Sequence, residues 1–207
     1  MILGTSATVV LSWVFGVTTV IGAAVTVYFG LDSRRLRRLA KSLDWDDVRL
    51  GATDLAGQLK ETFEPDVIYA PALRGGILAL FIANALGRTP DLMAGMTEWT
   101  AGDANRTTTP SRAGFDRVLT SKWSVFIPQS LYAFRDQRIL VVDDLAFSGD
   151  ALVAIKEKLI ENGFDSNKVK SATLVATNVA IDTNKAPDFY WRETDSTEFF
   201  FPWGRAR

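Results

Sequence analysis

Residues 138–152 read RILVVDDLAFSGDAL, and the fold is decided by this stretch. Ile139 to Val142 is a short, wholly apolar run with β-branched residues, the pattern of a strand buried on both faces of a parallel sheet. Asp143 and Asp144 follow at its carboxyl end, which is where ligands bind in open α/β sheets. The turn Ala146 to Ala151, holding Phe147, Ser148, Gly149 and Asp150, then opens an amphipathic stretch with Leu152, Ile155, Leu159 and Ile160. Unpaired backbone N–H groups at such a helix start suit a phosphate, and the two carboxylates above them suit ribose hydroxyls or a divalent cation. The plainer reading is a βα junction whose Asp and Ser only cap the helix.

Around this centre, 207 residues with 47% hydrophobic content provide for one α/β domain plus an appendage. A formal net charge of -1 gives no global basic field, so nucleic-acid binding is not expected. The chain has no cysteine and no histidine. Disulfides, thiol nucleophiles and the usual zinc ligands are thereby removed, leaving carboxylates with a hard cation such as Mg2+ as the expected metal chemistry.

Upstream, Pro65 ends a helix, Val67 to Ala70 reads as a second strand, Pro71 to Gly76 as a loop and Ile77 to Leu86 as a helical run. Arg74 can offer a phosphate its planar fork of donors, and Gly75 and Gly76 either admit a ligand to the backbone or only let the helix pack closely. Met93 to Thr97 suggests another strand. Glu98 to Lys122 lacks periodicity and reads as a long loop, either functional or simply solvated, with Arg106, Arg112, Arg117 and Lys122 as its cations. Lys170 to Thr177 reads as a further buried strand, and Pro187 to Trp203, PDFYWRETDSTEFFFPW, is an aromatic-rich tail.

Over about residues 60 to 204, in three ordered blocks, the chain resembles the type I phosphoribosyltransferases. The apolar run, acidic pair and Ser-Gly turn resemble that family's phosphoribosyl diphosphate motif. The Arg-Gly-Gly turn matches its pyrophosphate loop, and the Phe-Pro-Trp ending is similar to the base-holding hood of the purine-type members. The resemblance implies an α/β fold with a central, mostly parallel sheet flanked by helices and a small C-terminal hood. It implies catalytic roles for Asp143 and Asp144, which would hold the ribose hydroxyls and Mg2+. It assigns the 5-phosphate to Ala146, Phe147, Ser148, Gly149, Asp150 and Ala151, the pyrophosphate to Leu73, Arg74, Gly75 and Gly76, and a flat base to Trp203. The stretch 98–122 corresponds to a mobile flap. Three positions depart from the pattern: Phe147 stands where purine-type members carry Asp, Ala151 replaces a hydroxyl residue, and Gly204 replaces an acid.

The activity implied is transfer of the phosphoribosyl group from phosphoribosyl diphosphate to a nitrogenous, purine-like base with release of pyrophosphate. Phe147 also fits a module that keeps the phosphate pocket and senses nucleotides at a membrane without turnover, and an adaptor with no ligand is the third reading. A homodimer is left open by the sequence.

Met1 to Leu31 contains no charged side chain, whereas a bilayer-spanning helix needs only about 20 predominantly apolar residues. Val9 to Phe29 is dominated by apolar residues, with Trp13 and Tyr28 where interfacial aromatics sit, and Arg34, Arg35, Arg37, Arg38 and Lys41 follow. Charge behind the apolar run suggests an uncleaved, single-pass anchor rather than a signal peptide, with the amino terminus outside and the C-terminal domain cytoplasmic. A buried hydrophobic hairpin is the alternative. The Arg run reads as a solvated face or a contact to membrane lipid. From Leu31 to Phe63 the apolar spacing suggests two helices, broken near Asp44 to Asp47 and at Gly51. The expected organisation is therefore an anchor over 1–31, a basic juxtamembrane helical segment over 32–62 and a phosphoribosyltransferase-like domain over 63–207.

Overall fold

The computed structural model describes residues 41–100, 112–120, 122–196 and 198–206. The transmembrane helix expected over 1–31, the basic segment up to residue 40 and Arg106 lie outside the described residues. Among the described residues, no helix is long and apolar enough to cross a membrane.

A short strand β1 (Lys41–Ser42) leads into helix α1 (Trp45–Thr62). Asp44 caps the helix reciprocally: its carboxylate accepts the Asp47 amide at 2.9 Å while Asp47 accepts the Asp44 amide at 3.2 Å. Two otherwise orphaned donors are thus satisfied at the break the sequence suggests near Asp44. The second break, at Gly51, does not occur. A side chain there would begin 2.6 Å from atoms of Leu174 and Trp191, so the glycine lets α1 lie close against the sheet. With Val48, Leu55 and Leu59 fully buried, α1 is part of the domain, and the boundary drawn between 62 and 63 moves upstream of Leu43, itself 5% exposed.

The remaining elements run β2 (Val67–Ala70), α2 (Leu73–Leu86), β3 (Asp91–Ala94), β4 (Met96–Trp99), β5 (Phe115–Leu119), β6 (Trp123–Pro128), β7 (Ile139–Ala146), α3 (Asp150–Glu161), β8 (Val169–Thr177), α4 (Asn178–Asp182), β9 (Phe189–Thr194), β10 (Phe199–Phe201) and β11 (Gly204–Arg205). Five strands in the order β3-β2-β7-β8-β9 form a wholly parallel sheet with β7 at its centre. Ile139 to Val142 are completely buried because alternate residues face two cores. Leu140 and Val142 pack with α1 and α2, while Ile139 and Val141 pack with Leu152, Ile155 and Leu159 of α3. The helices that follow β2 and β7 therefore lie on opposite faces, and the connections diverge between these two neighbouring strands. Such a switch point opens a crevice at the carboxyl ends, where the acid pair stands.

Within the stretch expected as one strand and a long loop, Met96–Trp99 and Phe115–Leu119 are strands that pair with β6 in a second sheet, antiparallel, in the order β4-β6-β5. Its pattern is hard to read because the flanking strands are only partly covered. At Gly95, between β3 and β4, a Cβ would lie 2.3 Å from the Tyr69 hydroxyl oxygen and 2.8 Å from the Phe126 carbonyl oxygen. Glycine is needed where the chain leaves one sheet for the other.

The expected C-terminal hood is a three-stranded sheet, β1-β10-β11, so one of its strands comes from the other end of the described chain. The aromatic tail is divided. Phe189–Thr194 adds the edge strand of the main sheet, and only Phe199 onward builds the hood. Asp188 directs the first part, accepting Ser171 N and Ser171 Oγ at 2.8 Å each.

Candidate active site

Strand β7 continues through Ala146, beyond the apolar run, so the acid pair lies within the strand, with Asp143 paired to Thr173 of β8. Asp143 Oδ1 accepts the Asp144 amide at 3.0 Å, and Asp144 Oδ2 accepts the indole N–H of Trp203 at 2.9 Å. Asp144 is only 6% exposed. Burial and then the neighbouring Asp144 charge push Asp143 up to about 8, against the pull of the Asp144 amide and of Arg74. Asp144 is raised as well, by burial, with the Trp203 N–H and the Arg74 charge opposing. Two such carboxylates favour any ligand that brings them donors or positive charge.

Leu73 to Gly76 form the first turn of α2 rather than a loop before it. The reason is close packing: at Gly75 a Cβ would stand 2.2 Å from the Val142 carbonyl oxygen and 3.0 Å from Asp143 Cα. Gly75 thus lets the start of α2 rest on β7 beside the acids, whereas a Cβ at Gly76 would meet only Ala70, at 4.0 Å. Arg74 donates to the Arg205 carbonyl at 2.7 Å, which ties α2 to the hood, and Leu73 is 84% exposed.

The turn after β7 has a different construction. Gly149, the N-cap of α3, has φ 74°, and a Cβ there would lie 1.9 Å from the Lys185 carbonyl oxygen. Both the left-handed backbone and the space require glycine. The N-cap Gly149 has no side chain to offer, and it is Ser148 Oγ that accepts the Asp150 amide, at 3.5 Å, so neither Asp143 nor Asp144 serves as the cap that the plainer reading supposes. The Ala151 and Leu152 amides, which lack intrahelical acceptors, are of the kind that suits an anion. Ser148 Oγ donates to Asp150 Oδ2 at 2.9 Å, and Lys185 Nζ contacts Asp150 Oδ1 at 2.6 Å. These bonds, Lys185 first, hold the Asp150 carboxyl below its usual value. Ala146 is buried, Ala151 is half-buried, and the Phe147 carbonyl accepts the Thr177 hydroxyl.

Of the flap cations among the described residues, Lys122 reaches this turn: its Nζ lies 5.0 Å from the Phe147 ring centroid, a cation–π distance. Arg117 donates to Ser124 Oγ at 3.0 and 2.8 Å, and Arg112 lies over Phe126 and 3.9 Å from Glu98, so both are engaged within the antiparallel sheet. Trp203 stacks on Phe201 with centroids 5.1 Å apart and planes at 5°, while Trp45 leans on it at 5.8 Å. Its indole edge is thus aimed at the acid pair and one ring face is taken by Phe201. Thr177 and Lys185 are not singled out by the sequence. Thr177 had one signal, a hydroxyl ending a strand; Lys185 had none, because its partners are defined only when α4 folds back over the turn.

Solved structures share this fold. The purine phosphoribosyltransferase of Pyrococcus horikoshii superposes with a TM-score of 0.59 at 23% identity, covering 81% of this chain and 96% of that one. A Neisseria gonorrhoeae hypothetical protein with bound ppGpp gives 0.58 at 17% identity, covering 79% and 89%. The xanthine-guanine-hypoxanthine phosphoribosyltransferase of Helicobacter pylori gives 0.57 at 15%, covering 79% and 91%. No curated protein sequence matches the chain. The sequence profile of the phosphoribosyl transferase domain matches residues 43–206, from the strand-to-helix entry of α1 to the last strand of the hood, and the chain belongs to that family.

Proposed function

We propose that the protein transfers the phosphoribosyl group of phosphoribosyl diphosphate to a purine-like base and releases pyrophosphate. The observation that carries this reading is the acid pair held at the switch point, raised by burial and fixed by the Trp203 N–H. In this reading Asp143 and Asp144 accept the ribose hydroxyls, which supply the missing donors and draw both groups toward the ionised form. The first-turn amides of α3, from Ala151 onward, take the 5-phosphate. Leu73 to Gly76, with Arg74 beside the hood, face the pyrophosphate, and Trp203 flanks the base. Fixed carboxylates close to the ribose stabilise positive charge that develops at its anomeric carbon as the leaving group departs.

The donor set also supports Mg2+. Among the described residues no cluster of three metal-binding side chains occurs, and an acidic pair completed by substrate oxygens is the arrangement magnesium accepts. Bound there, magnesium would neutralise charge on the departing pyrophosphate. Asp143 and Asp144 are the residues that would hold it.

The uncharged run 1–31 and the basic residues behind it support a single-pass anchor with the catalytic domain on the cytoplasmic side. A second reading, a nucleotide sensor without turnover, rests on Phe147, which puts an apolar ring under Lys122 where purine-type members carry an acid. Calorimetry with phosphoribosyl diphosphate and Mg2+, followed by pyrophosphate release over hypoxanthine, guanine, xanthine and adenine, tests both. Binding with release on at least one base is expected. Binding without release on any base selects the sensor, and no binding overturns both.

A further inference from the structure

Helix α2 has the sequence LRGGILALFIANAL, in which Arg74 is the single charged residue. A helix whose side chains are nearly all apolar is ordinarily covered on most sides, yet only one face of α2 meets the core, and on the outer face Asn84 is the one polar residue between Ile77 and Leu86. Leu78, Ala79, Ile82 and Leu86 are buried on the core face. Opposite them, Leu80 is 59% exposed, Ile77 is half-buried, and Leu73 continues the stripe two turns back. The stripe broadens across Phe81 onto Trp45, whose rings lie 6.3 Å apart at 26° and whose indole is 52% exposed.

The chain outside the described residues enters the fold beside this patch. Lys41–Ser42 is β1, and Trp45 follows three residues later, a span of at most about 10 Å. Between the uncharged run and β1 lie residues 32–40, with four arginines, and nine residues reach at most about 32 Å. If residues 1–31 cross the bilayer, as the proposed function has it, the patch at the tether's point of entry is held within reach of the surface. An exposed tryptophan beside aliphatic side chains suits the headgroup region, and the arginines of the tether suit anionic lipid.

We infer that the outer face of α2, with Ile77, Leu80 and Trp45, docks on the membrane surface, so that the domain is seated on the bilayer rather than suspended from it. The inference rests on the anchor reading but adds a contact which that reading does not require.

The absence of cysteine allows a clean test. Full-length chain carrying a single nitroxide at Leu80→Cys is reconstituted in vesicles of phosphatidylcholine and phosphatidylserine and compared with a label at Ile160→Cys. Ile160 is a 41%-exposed residue of α3, across the sheet. Collisions with oxygen and with a water-soluble nickel chelate report the depth of each label. The Leu80 label is expected about 5 to 10 Å below the headgroups, and the Ile160 label in water. A chain that floats with the vesicles while both labels stay in water overturns the docking and leaves the anchor. A chain that does not float overturns both. Spin–spin broadening at Leu80 that vanishes on dilution with unlabelled chain assigns the face to a second copy and also overturns the proposal.

Discussion

The two ends of β7 carry acidic groups in opposite conditions. At the amino end, Asp66 Oδ2 accepts Arg138 N at 3.0 Å and Arg138 Nε at 3.1 Å, and Arg88 lies 3.3 Å from Asp66 Oδ1. The Arg138 bond, more than any other contact, lowers Asp66 to about 2. At the carboxyl end, burial raises Asp143 and Asp144, and Arg74 acts on them only through its field. One end has its charges matched within the fold, and the other leaves them to be matched from outside. The contrast separates an acid engaged within the fold from a pair open to an outside partner, without reference to any relative.

The comparison is tested hardest at the acid pair. Asp143→Asn with Asp144→Asn is expected to lower pyrophosphate release by about 100- to 1,000-fold while stabilising the free protein. The sign follows from linkage. Asp143 titrates near 3.8 when unfolded but about 8 when folded, so the folded state favours its proton. Stability of the free protein is therefore full below the unfolded value and falls as the pH rises through 8. Thermal unfolding at pH 8 should show the double variant more stable by about 1 to 3 kcal/mol; a variant less stable than the parent would make the pair structural.

Gly149→Ala should come next, since it strains both the left-handed backbone and the contact with the Lys185 carbonyl. A loss of about 1 to 3 kcal/mol is expected in denaturant unfolding, with weaker phosphoribosyl diphosphate binding by calorimetry. Trp203→Phe keeps the ring and removes the donor to Asp144. A drop of about 10-fold in rate, with the acid limb of the pH profile moved upward, distinguishes orientation of the acid from simple packing, which would leave the profile in place. The smallest effect belongs to the other end of the strand. Asp66→Asn should cost about 1 kcal/mol at pH 7 because the pair is partly screened by water, and leave turnover unchanged. That difference is present above pH 3.8 and disappears as the pH falls through 2, the reverse of the trend at Asp143.

The central strand and its acids are legible because a run buried on both faces is otherwise apolar, so two carboxylates that interrupt it stand out. Gly51 shows where the reading fails. A glycine records that a side chain is excluded, but a sharp turn and a close crossing exclude it equally, so Gly51 suggests a break where there is a packing contact. Met96–Trp99 and Phe115–Leu119 are obscure for another reason: half-covered antiparallel strands dilute the alternation that would expose them. The bonds from Trp203 to Asp144 and from Lys122 to Phe147 join distant segments, and no local pattern encodes them.

The pairing of β1 with β10 has a consequence for the order in which the molecule is made. Leu43 N donates to the Phe200 carbonyl at 2.8 Å, so the strand at one end of the described chain waits for a partner near the other. Contacts so far apart in sequence carry the greatest loop-closure cost and form late. The parallel pairing of β7 with β2 and β8, which places the two acids, needs no contact with residue 199 or beyond. The indole that fixes Asp144 belongs to the hood, so closure of the hood is the step that sets the acid pair.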